Sequence, residues 1–251
     1  MSKRKYRGIV SSDWSECLSP NGPFDPVAFN YPELESDLKR IFGAYTGNVI
    51  SLKEATDQIK GLLPQDFTAD QMDAYLDESF QTYKGVPELI EWLLSRDILF
   101  MINTTGTQGY FQRVFAKGLL PETPIVATNP MIMFDDPSQE NRYKYQVTEI
   151  EDKPKNTAAV ISALEAPPNR LVVMGDSGGD GPHFLWAFNQ RAFLIGSMTK
   201  NSLAQYCRSR GVLIDLSFGV SYGPEEARKV EKEMTFDFMD LAEVIQKALS
   251  L

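Results

Sequence analysis

Cysteine and histidine are nearly missing from this chain of 251 residues, which holds two of the first, Cys17 and Cys207, and one of the second, His183. Two widely separated thiols make no disulfide framework and fit a reducing compartment, so a cytoplasmic protein is expected. Long apolar runs are lacking too: none approaches the length of a membrane span. The run behind the basic opening MSKRKYRG is too short for a signal-peptide core and is interrupted by Asp13. Positive charge is in deficit, with 25 Lys and Arg against 34 Asp and Glu and a net charge of -9. That balance argues against nucleic acid or an anionic membrane as partner, and leaves room for a local positive pocket that holds a small anion. Internal repeats and low-complexity segments are absent.

What is present suits one medium domain with an insertion, or two small domains sharing a groove, since 43% of the residues are hydrophobic. Short apolar runs recur at Ile9–Val10, Ile98–Ile102, Pro124–Ala127, Leu171–Met174 and Ala192–Ile195, with helical segments between them. Alternation of this kind predicts an α/β fold with a parallel sheet covered on both faces. Between the first two runs, residues 24 to 84 contain helices and no strand. Ser51 and Glu54 stand in capping-box spacing before Leu52, Ala55, Ile59 and Leu62. Thr68 and Gln71 repeat the device before Met72, Leu76 and Phe80. A helical insertion at this point would lie over the carboxyl ends of the strands, where open α/β sheets bind ligands. Residues 130 to 150 read as a hairpin excursion with a polar turn at Asp135 to Asn141. SYGPEEARKVEKEM reads as a solvated loop or helix face, and the tail as an amphipathic helix presenting Phe238, Leu241, Ile245 and Leu249 to the core.

Four polar signals stand at the ends of these elements. Asp13 follows the first strand, where a turn or helix-capping role is the commoner use of an Asp. Thr104 and Thr105, in INTTG, follow the second strand and can offer hydroxyls to phosphate oxygens together with the loop amides around Gly106. Lys153 and Lys155, in EDKPKN, stand before a later helix. The cluster GDSGGDG, Gly175 to Gly181, follows LVVM; its glycines permit sharp turns, and Asp176 and Asp180 supply hard oxygens of the kind magnesium prefers.

In this order the motifs resemble those of the haloacid dehalogenase superfamily, in its phosphoserine-phosphatase-like members, and the phrase GVPELIEWL before the second strand adds to the likeness. The resemblance implies a Rossmann-like core over 1–23 and 85–251, with an α-helical cap over 24–84 inserted after the first strand. It also implies a phosphatase that acts on a small phosphorylated metabolite through an aspartyl-phosphate. Asp13 would be the nucleophile. Thr104, or Thr105 in the alternative loop register, would bind the phosphoryl group, and Lys153, or else Lys155, would balance its charge. Mg2+ would be held by Asp13, the backbone carbonyl of Ser15 and Asp176, with Asp180 a ligand or a partner of the ligands.

The first motif departs from the family pattern Asp-x-Asp-x-Thr, because it reads Asp13-Trp14-Ser15-Glu16-Cys17. The second Asp protonates the leaving oxygen in family phosphatases, and Ser15 cannot; losing a general acid costs roughly 10²- to 10⁴-fold in rate. A substrate with a good leaving group, such as an acyl or enol phosphate, would tolerate that loss, or Glu16 or a cap residue would supply the proton. One alternative is carbon–phosphorus cleavage as in phosphonoacetaldehyde hydrolases, which share the Asp-Trp opening and form a Schiff base on a cap lysine; Lys39, Lys53 and Lys60 fall in the insertion. Another is a non-catalytic binder of a phosphorylated ligand. A carbon–halogen dehalogenase fits less well, since those members lack the second acidic cluster. Trp14 is expected to line the cleft under the cap, while Cys17 and His183 read as packed, structural residues rather than reactive ones. The substrate and the oligomeric state carry no signal in the sequence.

Overall fold

The structure is a computed structural model that describes residues 5–46, 49–136, 141–167 and 169–250. Six strands form one sheet in the order β3-β2-β1-β4-β5-β6: β1 Gly8–Ser12, β2 Ile98–Thr107, β3 Ile125–Asn129, β4 Leu171–Gly175, β5 Phe193–Ser197 and β6 Leu216–Phe218. Every pairing is parallel. Strands β1, β2 and β4 are buried at every residue, as parallel strands covered on both faces must be. The helices that cover them include α5 Val86–Ser95, α6 Gln108–Ala116, α7 Asp152–Leu164, α8 Gly181–Asn189, α9 Asn201–Ser209, α10 Val230–Glu233 and α11 Leu241–Ala248. The α/β class and the five expected strands are present. The sixth, β6, has three residues, none of them fully buried, so it carries no continuous apolar run to read.

This strand order places a switch point between β1 and β4, the site at which open sheets of this kind form a crevice beyond the strand ends. The Asp13 amide donates to the Met174 carbonyl at 3.0 Å, so the chains leaving the two strands are tied side by side.

Between β1 and β2 lie the helices α1 Asp25–Asn30, α2 Glu35–Thr46, α3 Leu52–Leu62 and α4 Ala69–Ser79. Both capping boxes form: Ser51 accepts from the Glu54 amide and Thr68 from the Gln71 amide, with each partner side chain reaching back. Each such cap stabilises its helix by about 1 kcal/mol. Leu52, Ala55, Ile59, Met72 and Leu76 face the core as the pattern requires. Polar links fasten the insertion to the sheet layer. Arg113 on α6 donates to both oxygens of Asp73 on α4 at 2.7 and 2.6 Å. Lys117 lies 2.7 Å from Asp77, and the Glu149 carboxylate accepts from the Leu52 and Lys53 amides at the start of α3. Among the described residues, no helix is long and apolar enough to cross a membrane.

Two expectations need correction. The hairpin over 130 to 150 does not form among the described residues, and part of its expected turn, Pro137 to Glu140, lies outside them. The backbone groups such a hairpin would pair are taken elsewhere, those of the first arm by α6 and those of the second by β3, where the Val126 N–H donates to the Arg142 carbonyl at 3.0 Å and the Val147 N–H to the Thr128 carbonyl at 2.9 Å. Gly109 donates to the Ile132 carbonyl at 2.7 Å, and the Gln112 amide side chain brackets Phe134, accepting from its N–H at 2.8 Å and donating to its carbonyl at 2.6 Å. The stretch from Ser221 to Met234 is not simply solvated either. Most of it is exposed, but Glu233 is fully buried and accepts hydrogen bonds from the Tyr83 and Tyr222 hydroxyls and from Arg228. A carboxylate buried in that company is fully satisfied. The tail behaves as read, with Phe238, Leu241, Ile245 and Leu249 all buried.

Candidate functional site

Four strand or helix ends converge at the switch point. Asp13 leaves β1 with its side chain buried, and its Oδ1 accepts from the Trp14 amide at 2.7 Å. Its other oxygen, Oδ2, lies 3.0 Å from Lys153 Nζ. Burial pushes the Asp13 carboxyl above its ordinary range; Lys153 opposes that shift, Asp180 adds to it, and the Thr104 hydroxyl beside Asp13 lowers it.

Lys153 sits in the first turn of α7 and is 1% exposed, an arrangement that only close counter-charges make tolerable. Burial alone would lower its ammonium, but Asp13 and Asp180 together hold it above the ordinary lysine value. Asp180 Oδ1 accepts from Lys153 Nζ at 2.6 Å. Lys155 points away, exposed and paired with Asp152 at 2.9 Å.

Under Lys153 lies a buried polar network. The Thr157 hydroxyl is shared among the Lys153 carbonyl at 3.2 Å, the Ser11 hydroxyl at 2.9 Å, the Asn103 amide at 3.0 Å and His183 Nε2 at 3.0 Å. Asn103 also donates to the Lys153 carbonyl at 2.8 Å. The network fixes the helix start that carries the lysine. His183 is thus structural: it is buried, stacked on Trp186, and held by burial at about 3, far below an ordinary imidazole.

Asp176 follows β4 and is 1% exposed. Burial lifts its carboxyl to about 8, against the pull of Lys200. Lys200 Nζ pairs with Asp176 Oδ2 at 2.8 Å, while Oδ1 has no hydrogen-bond donor among the described residues. Asp180, by contrast, is saturated: its Oδ2 accepts from the Asp176 amide at 3.0 Å and the Ser177 amide at 3.3 Å, while Oδ1 takes Lys153. Gly175 is needed for that packing, because a Cβ there would stand 2.5 Å from Asp180 Cγ.

Strand β2 continues through the threonines, with a register shift against β3 between Asn103 and Thr107. Thr104 is fully buried and accepts from the Gly106 amide at 3.2 Å, whereas Thr105 lines the cavity. That cavity has about 30 Å³ of room, enclosed by Asp13, Ser15, Asp176 and Lys200 below and by Phe42 and Tyr45 of the insertion above. Trp14 does not face it; its ring packs edge-on against Phe111 and borders a smaller neighbouring cavity instead. Cys17 is fully buried, its carbonyl accepting from the Ser197 hydroxyl at 2.7 Å, and burial drives its thiol well up, away from reactivity. Lys39, Lys53 and Lys60 are exposed on the outside of the insertion, the first two paired with Glu35 and Asp57, and none lines the cavity.

The residues missed by sequence reasoning are Lys200 and Arg228. Glu16 holds a left-handed backbone with φ 61°, a conformation that costs a non-glycine residue free energy, and its carboxylate is gripped by both cations. Arg228 Nη1 donates to Glu16 Oε1 at 2.5 Å and Nη2 to Glu233 Oε2 at 2.5 Å. With both oxygens engaged, Glu16 is not positioned to protonate a leaving group.

A divalent cation fits this donor set. One carboxylate oxygen from each of Asp13, Asp176 and Asp180 lies within 4.8 Å of the others. Asp176 Oδ1 is buried without a donor among the described residues, which is costly unless a cation supplies the missing contact.

No protein-family model matches the sequence, and no curated protein does. Solved structures do match in three dimensions. A phosphoserine phosphatase described as a phospho-aspartyl intermediate analogue aligns over 96% of this chain and 99% of its own, with TM-score 0.67 and 14% identity. A HAD family hydrolase from Salmonella enterica subsp. enterica serovar Typhi aligns over 87% and 69%, with TM-score 0.64 and 13% identity. Cytosolic 5'-nucleotidase IIIB bound to cytidine aligns over 96% and 87%, with TM-score 0.57 and 13% identity. The chain therefore has the haloacid dehalogenase superfamily fold in its phosphoserine-phosphatase-like form.

Proposed function

We propose that this chain is a cytoplasmic, magnesium-dependent phosphatase of a small phosphorylated metabolite, with residues 24–84 acting as its cap. The observation that carries the reading is the meeting, at the β1/β4 switch point, of Asp13, the ammonium of Lys153 3.0 Å away, and the buried carboxylate of Asp176, one oxygen of which has no donor among the described residues. Asp13, the Ser15 carbonyl and Asp176 would hold Mg2+, and Asp180 would hold Lys153 and the Asp176 backbone in place. When bound, the ion supplies positive charge against the phosphoryl oxygens.

In the first step the Asp13 carboxylate attacks phosphorus, the ester P–O bond breaks, and an acyl phosphate forms on Asp13. In the second, water attacks that phosphorus, inorganic phosphate leaves, and the carboxylate is restored. Lys153 neutralises charge on the transferring group, and Thr105, which lines the cavity, orients its oxygens. The electron pair of the broken bond stays on the leaving oxygen. With Ser15 in the place of an acid and Glu16 engaged elsewhere, that oxygen has to leave as a stable anion. Acyl and enol phosphates meet this requirement, and simple alkyl esters do not.

Magnesium-dependent phosphate release across a panel of phosphorylated metabolites tests the proposal. Asp13→Asn should abolish release, and undiminished turnover by that variant would falsify the assigned nucleophile. Tight binding of phosphate esters with no release by the wild type would instead favour the binder. The carbon–phosphorus reading loses support, because its lysine has to reach the cavity and all three candidates face solvent.

A further inference from the structure

Lys200 stands where the proposed metal site is charged most heavily, and its position is built rather than incidental. Its backbone N–H donates to the Asp176 carbonyl at 2.7 Å, which fixes the base of the side chain beside the acidic cluster. Its ammonium lies between two carboxylates, 2.8 Å from Asp176 Oδ2 on one side and in contact with Glu16 on the other. Glu16 does not depend on Lys200 for its place, since Arg228 grips its second oxygen and is itself anchored on buried Glu233.

A divalent ion on Asp176 and an ammonium on the same carboxylate repel each other, with Asp176 itself buried and Lys200 only partly exposed to screening water. The ammonium already donates to a second acid, Glu16, whereas Asp176 Oδ1 has no donor among the described residues.

We propose that Lys200 is a built-in counter-ion that exchanges with the metal: it bridges Asp176 and Glu16 when no ion is bound and keeps only Glu16 when one enters. The inference rests on the metal site of the preceding reading but not on turnover. It gives the αL strain at Glu16 and the Arg228 anchor a purpose, which is to keep a landing site ready for the displaced ammonium. It also makes metal affinity a property set by one side chain outside the ligand set.

The test is calorimetric titration of the full chain with MnCl2, comparing wild type with Lys200→Met and Lys200→Gln, and with Lys155→Met as an exposed-charge control. Direct competition predicts that both Lys200 variants tighten Mn2+ binding by about tenfold or more while the control stays at wild type. A long-range charge effect is screened at about 0.5 M salt, so the gain should persist there if the contact is direct. A change under about threefold, or a gain that vanishes in high salt, overturns the proposal. So does a Mn2+-bound crystal structure in which Lys200 Nζ keeps its contact with Asp176. Should Lys200→Met fail to fold, the near-isosteric Lys200→Gln decides, and the wild-type crystal structure decides without any variant. If affinity tightens but no phosphorylated compound is hydrolysed, the exchange stands and the phosphatase reading falls; phosphate release with unchanged affinities gives the reverse.

Discussion

Lys153 and Asp180 form a close buried pair, 2.6 Å between Nζ and Oδ1, with the lysine 1% exposed and the aspartate fully buried. The pair joins the start of α7 to the turn after β4, and Asp13 shares the same ammonium.

Removing that ammonium should therefore damage the fold as well as the chemistry. Lys153→Met leaves two buried carboxylates without their cation, and breaking a buried pair from one side costs about 3–5 kcal/mol. Urea denaturation should show a loss of that size, and Asp180→Asn added to Lys153→Met should recover part of it. Strictly additive losses would show that the two side chains are not coupled.

Ser15→Asp restores a carboxylic acid at the position that lacks one. Turnover of esters with poor leaving groups should rise, by up to about 10²- to 10⁴-fold, while activated aryl or acyl phosphates gain little. A plot of rate against leaving-group pKa reads this directly: the variant's slope should be flatter. An equal gain for all substrates would count against a missing acid.

His183 gives the pH dependence. Its folded pKa, near 3, lies below the ordinary 6.5, so the folded chain binds its proton less readily than the unfolded chain does. Its contribution to stability is complete above pH 6.5 and is lost progressively as the pH falls from there toward 3. With one histidine in the sequence, the imidazole resonance is unambiguous, and it should not titrate between about pH 5 and 8 in the native protein. His183→Asn should lower stability at neutral pH and flatten this part of the acid profile. A native resonance titrating near 6.5 would contradict the burial.

Metal removal should be visible without any substrate. A ligand at 100 times its dissociation constant stabilises the native state by about 2.7 kcal/mol. Chelation should lower the melting temperature and added Mg2+ should restore it, whereas Asp176→Ala should not respond. An Asp176→Ala protein that still gains stability from Mg2+ would place the ion elsewhere.

Much of the fold was legible, because parallel strands buried on both faces announce themselves as continuous apolar runs and capping boxes mark helix starts with few residues. Asp13, Lys153, Asp176 and Asp180 were legible from their order along these elements. Lys200 and Arg228 were not: the first is a lone lysine after a strand, the second one cation in a charged stretch, and each matters only through partners distant in sequence. Glu16 was read as a spare acid because nothing local reports that two cations occupy it. The supposed hairpin failed for a related reason, since Gln112, a polar residue in a helix, supplies the hydrogen bonds that a second strand was expected to provide.

The cleft over Asp13 is roofed by Phe42 and Tyr45 of the insertion. The insertion that carries this roof is fastened to the sheet layer through α4 by Arg113 with Asp73 and Lys117 with Asp77, partly exposed ion pairs that salt weakens. Raised ionic strength should therefore loosen the seat of the insertion on the sheet and, under the proposed function, weaken the hold on an anionic substrate as well.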